Sequence, residues 1–137
     1  MLVKDENGIF QEVSSLFVPD TLDAYKVWKI EKIYQQCIAD VEKGFVSEST
    51  GYSFPLNKDY IDNFTQSGVA FSLDDELISV PFNTTNMGLK MLTREQFKAI
   101  FKEGKAHKEG LLMVYFGLKA QIEISESIEQ ASTYNWV

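Results

Sequence analysis

The stretch from Thr93 to about Gln121 constrains this chain more than any other. Thr93-Arg94-Glu95-Gln96 matches the capping-box pattern, in which a Thr hydroxyl and a Gln three residues later each satisfy an otherwise orphaned backbone N–H. Behind it Phe97, Ile100, Phe101, Leu111, Val114, Tyr115, Leu118 and Ile122 recur at helical spacing, which predicts the longest helix of the protein. Gly104, Gly110 and Gly117 fall inside it, each expected to cost roughly 1 kcal/mol relative to Ala at an exposed helical site. Either the helix breaks near His107-Lys108-Glu109-Gly110, or the glycines admit a second helix at close range. The apolar stripe keeps its phase across them, which favours one continuous helix.

From Leu111 to Phe116 the residues are apolar all round the helix, so they need cover on every side. A partner chain and the monomer's own hairpins and first helix are equally good covers. Leu111, Leu112, Val114, Tyr115, Gly117 and Leu118 are therefore candidate interface residues, and Gly117→Leu is expected to disrupt close helix packing. Tyr134 and Trp136, in an aromatic C-terminal segment, are further candidates. They either pack back on the domain or anchor a partner, since Trp and Tyr are favoured at interfaces.

Upstream, Asp20 or Thr21 caps a helix from Leu22 to Lys43, with Gly44 placed to terminate it. Trp28, Ile33, Cys37 and Val41 form its apolar stripe, with Tyr25 and Tyr34 alongside, and Lys26, Lys29, Lys32 and Glu42 lie opposite. Residues 1–19 read as a short β element around Asn7-Gly8, closed by Pro19. Phe45–Phe54 reads as a small hairpin turning at Ser49-Thr50-Gly51. Asn57 caps a short helix, about Lys58–Gln66, which Ser67-Gly68 breaks; Val69–Leu73 is either strand or kinked helix. A second hairpin runs through Leu77–Phe82 and Met87–Leu92, with Pro81 pushing its first strand toward an edge. Ser125 caps a last short helix. The expected architecture is α+β: one long and one medium helix packed with two small antiparallel β-hairpins and short helices. The chain reads as a single domain, 1–137, with segments 1–19, 20–44, 45–92 and 93–137.

Little in the chain resembles catalytic chemistry. The 137 residues contain one His and one Cys, so neither a Cys–His pair with a second base nor a metal site built on His and Cys spacing is available. Cys37 reads as a small core residue and His107 as a solvated one. Asp74-Asp75-Glu76 reads as a turn, and Glu123, Glu126 and Glu129 as one acidic helix face. No Gly-x-Gly and no Gly-Lys-Ser/Thr occurs, and no cofactor is implied. A net charge of −7 and the absence of a basic cluster argue against nucleic acid. The charged Lys4-Asp5-Glu6 sits where a signal peptide would need its apolar run, and no segment approaches the ~20 apolar residues of a membrane span.

Several short patterns resemble an uncharacterised domain often found at the C-terminal end of phage tail fibre proteins. They are the Lys26–Gly44 helix, Gly51-Tyr52-Ser53-Phe54 followed by Asp59-Tyr60-Ile61, and the Pro81–Leu92 hairpin with its central Asn86. Leu92-Thr93-x-Glu95 and Leu118-Lys119-x-x-Ile122 complete them. The opening Val3–Phe10 is similar to the first strand pair of small tail fibre and fibre-assembly proteins. Pro81-Phe82 stands where that family tends to have a tryptophan, and the three glycines interrupt a helix that is normally Ala-rich. The resemblance implies a non-enzymatic structural role in a phage or prophage tail, in the virion or the host cytoplasm. Its partners would be other tail proteins, with a homo-trimer or dimer possible. A chaperone for tail or fibre assembly is the alternative, and a carbohydrate-binding module using Tyr52 or Trp136 is a third.

Overall fold

A computed structural model describes residues 18–137 and the backbone of 2–4 and 10–12. Strands β1 (Leu2–Lys4) and β2 (Phe10–Glu12) pair antiparallel, Val3 opposite Gln11; the turn read around Asn7-Gly8 lies outside the described residues. There follow helix α1 (Leu22–Glu42), strands β3 (Phe45–Val46) and β4 (Ser53–Phe54), and helix α2 (Lys58–Leu73). Strands β5 (Ser79–Thr84) and β6 (Gly88–Thr93) lead into helix α3 (Arg94–Glu123) and the short α4 (Ile128–Ala131). The fold is α+β, with each sheet a two-stranded antiparallel pair. No helix among the described residues is long and apolar enough to cross a membrane. The chain gathers into two compact units, residues 38–112 and residues 1–37 with 113–137.

Local chemistry explains the elements of the 38–112 unit. Gly44 ends α1 at φ +86°, a left-handed conformation that an L side chain resists. The β3–β4 hairpin closes through Ser47 N–H to Tyr52 O and Gly51 N–H to Ser47 O. Asn57 Oδ1 accepts from Tyr60 N at 3.0 Å and caps α2. That helix does not stop at Ser67-Gly68 as expected, but continues to Leu73. Phe64 and Phe71, seven residues apart on one face, are both buried, and the ring of Phe97 packs on each, at 6.1 and 5.3 Å. Burying two aromatic rings outweighs the roughly 1 kcal/mol that one mid-helix Gly costs.

In β5 the buried residues are Val80, Phe82 and Thr84, with Pro81 on the other face opposite Met91. The capping box forms as read: Thr93 N–H donates to Gln96 Oε1 (3.0 Å) and Gln96 N–H to Thr93 Oγ1 (3.2 Å). α3 is continuous through all three glycines. The core of the unit is largely aromatic: Phe54, Phe64, Phe71, Phe82 and Phe97, closed by Leu92 and Ile100. The two hairpins are stitched together by Asn86, whose Oδ1 accepts from Ser53 N (2.9 Å) while its Nδ2 donates to Gly51 O (2.9 Å). One side-chain amide thus imitates a strand backbone.

In the other unit the buried positions of α1 are Tyr25, Lys29, Ile33 and Cys37, spaced by four. Lys29, expected on the polar side, is buried, and Trp28, expected in the core, is only half-buried. Lys29 tolerates burial because its Nζ donates to Asn135 Oδ1 from the C-terminal segment. Lys26 Nζ donates to Glu123 O (2.8 Å) and so caps the end of α3, which has no basic residue in its own last turn. The cap of α4 is Ser127, whose Oγ accepts from Gln130 N (3.1 Å), and not Ser125, whose hydroxyl donates back to Gln121 O.

Candidate functional site

At about 100° per residue, Phe116, Met113, Gly117 and Val114 fall on one arc of α3, and Tyr115 falls opposite them. Exposure follows that geometry. Met113, Val114 and Phe116 are 69, 48 and 53% exposed, whereas Tyr115 is buried, its ring edge-on to Tyr34 at 5.3 Å. Burial, with Glu31 and Tyr34 nearby, raises the pKa of the Tyr115 phenol. Leu111, Leu112 and Leu118 are half-buried. Of the interface candidates, then, Val114 and Gly117 lie on the open arc, Tyr115 lies against the chain itself, and the three leucines lie between.

The glycines behave differently from one another. A Cβ built on Gly104 would sit 2.9 Å from the ring of Phe45, so a close approach exists there. No described atom comes within 4 Å of a Cβ on Gly110 or Gly117. The close packing expected at Gly117 is therefore not made by the described part of this chain, and Gly117→Leu meets no obstacle within it. Tyr134 and Trp136 are half-buried, and Asn135 between them is held by Lys29, so the terminal segment lies back on its unit.

The charged candidates are quiet. Among the described residues no group of three or more His, Cys, Asp or Glu is placed to hold a metal ion. Asp74 Oδ1 accepts from Glu76 N (3.0 Å), so the acidic cluster is a turn, as read. Cys37 is fully buried. His107, expected in water, is half-buried beside the ring of Phe45. Burial pushes the Glu103 carboxyl upward, but hydrogen bonding from Ser47 and Ser49 outweighs it and holds the group below the usual range.

Sequence reasoning missed a groove in the 38–112 unit. It lies between α2 and α3 and has a volume of about 240 Å³. Ile61, Phe64, Phe45 and Phe101 line it, with Lys105 and Lys108 at its mouth. The signal was present as Phe101, Lys105 and Lys108 on one α3 face, but the opposite wall needed the three-dimensional fold.

Fold and site together define a helix-and-hairpin α+β module whose distinctive exposed chemistry is apolar surface. Residues 24–135 match the model of the domain of unknown function DUF4376, and the chain belongs to that family. No curated protein and no solved structure matches it.

Proposed function

We propose that this chain is a non-enzymatic, tail-associated structural protein of a phage or prophage that acts through protein–protein contacts, including contacts with its own copies. One observation carries the contact reading: the α3 arc formed by Met113, Val114 and Phe116, three large apolar side chains left open within a single turn beside Gly117. Exposed apolar residues scattered singly need no explanation, whereas a contiguous arc marks an interaction surface. Gly117 and Gly110 lie along the same face with no described atom within 4 Å of a built Cβ, so another helix backbone can come close. The tail association rests on the resemblance in sequence pattern.

The test is solution mass by light scattering over a dilution series, for the wild type and for Phe116→Glu. A concentration-independent trimer that dissociates in the variant supports the structural reading. A wild type that stays monomeric, with Phe116→Glu unchanged, refutes self-association through this face and shifts the role toward an assembly factor.

A further inference from the structure

The groove between α2 and α3 is larger than the ~30 Å³ that a water occupies in the liquid. It is smaller than the ~300–1,000 Å³ pockets that hold drug-sized ligands and cofactors. Its 240 Å³ suits one large apolar side chain. The mouth is cationic on a chain whose net charge is −7. Lys105 is partly engaged by Glu109 at 3.4 Å, and Lys108 makes no ion pair among the described residues. The fitting occupant is thus an apolar residue followed closely by carboxylates.

The same unit displays such an element. Leu73, the last residue of α2, is 81% exposed and is followed by the exposed Asp74, Asp75 and Glu76. This knob is held in shape. The Arg94 guanidinium donates to the carbonyls of Phe71, Asp74 and Leu77 and stacks 4.7 Å from the Phe71 ring. A preformed element loses less conformational freedom on docking. Leu73 cannot reach the groove of its own chain: it is eight residues along α2 from Thr65, the nearest groove residue on that helix, roughly 12 Å at 1.5 Å per residue.

We infer that a second copy of this chain seats Leu73 in the α2–α3 groove, with Asp74–Glu76 facing Lys105 and Lys108. Knob and groove are different surfaces, so the contact is head-to-tail; it closes into a ring or propagates as a filament. It is separate from the α3 arc and does not depend on a tail role.

Two variants test it. Leu73→Ser removes the knob and K105E/K108E reverses the mouth; Leu73 and Lys105 are exposed and Lys108 is half-buried, none of them in the core, so unchanged circular dichroism is expected. In the Phe116→Glu background, which silences the α3 arc, sedimentation velocity should show the parent chain associating, each variant alone at the mass of one chain, and their equimolar mixture forming a two-chain species. In that mixture one intact knob meets one intact groove. A monomeric parent, a variant that keeps the parent's mass, or a mixture without a two-chain species overturns the inference. Loss of association in Phe116→Glu alone would leave the α3 arc standing and this contact refuted.

Discussion

Gly44→Ala offers a sharp test of how the 38–112 unit is built. A Cβ on Gly44 would lie 1.9 Å from Phe54 O, 2.6 Å from Pro55 Cα and 2.8 Å from Phe54 C. All three are backbone atoms, so no rotamer change relieves the clash. Phe54 is 1% exposed and wedged among the rings of Phe45, Phe64 and Phe82, so relief has to separate the end of α1 from β4. Two penalties add. Holding an L residue in the left-handed region costs roughly 1–2 kcal/mol. Forcing atoms into a packed interior costs roughly 1–3 kcal/mol or more. A total of about 2–5 kcal/mol is a large part of the roughly 5–15 kcal/mol that folds a domain. Gly51 and Gly88 are the controls: φ is +75° and +69°, and no described atom lies within 4 Å of either built Cβ. Gly51→Ala and Gly88→Ala should carry the conformational penalty alone. Urea unfolding followed by circular dichroism measures all three. If Gly44→Ala falls within about 0.5 kcal/mol of Gly51→Ala, the close approach is not what Gly44 provides, and the reasoning fails.

Two further outcomes follow from single side chains. Asn86→Ala removes the two bonds that its amide makes to the other hairpin, leaving those from Thr85 to Ser53 O, and should cost about 1–3 kcal/mol in urea unfolding, at roughly 0.5–1.5 kcal/mol for each bond. Asn86→Asp keeps the acceptor but turns a carboxylate oxygen toward Gly51 O. That carboxyl should titrate high, so the variant recovers stability on acidification, and a flat pH profile relative to Asn86→Ala would refute the geometry. Lys29 has its pKa lowered by burial and by neighbouring Lys32. Between its folded value and the ordinary lysine value of about 10.4 the unfolded chain binds more protons, so stability from this group rises with pH across that window. Any advantage of Lys29→Met should therefore shrink as pH climbs from 7 toward 10 in thermal melts. An advantage that stays constant would show that Lys29 carries no such penalty.

Much of this architecture is decided within a few residues, and there the sequence was sufficient. The Thr93/Gln96 capping box, the Asn57 cap, the Gly44 terminator and the Ser49–Gly51 turn all depend on bonds between near neighbours. The continuity of α3 was likewise legible from its apolar phase. Only the tertiary structure decided whether α2 passed Gly68, because that depended on Phe97 arriving from a distant helix to cover Phe64 and Phe71. Lys29 reads as solvent-facing until Asn135, 106 residues away, supplies an acceptor that makes its burial tolerable. The three glycines of α3 are equivalent in one dimension. They differ in three because only Gly104 has Phe45 above it. Helical and turn chemistry is short-ranged and written in adjacent residues, whereas burial, grooves and open faces depend on what the rest of the chain brings alongside.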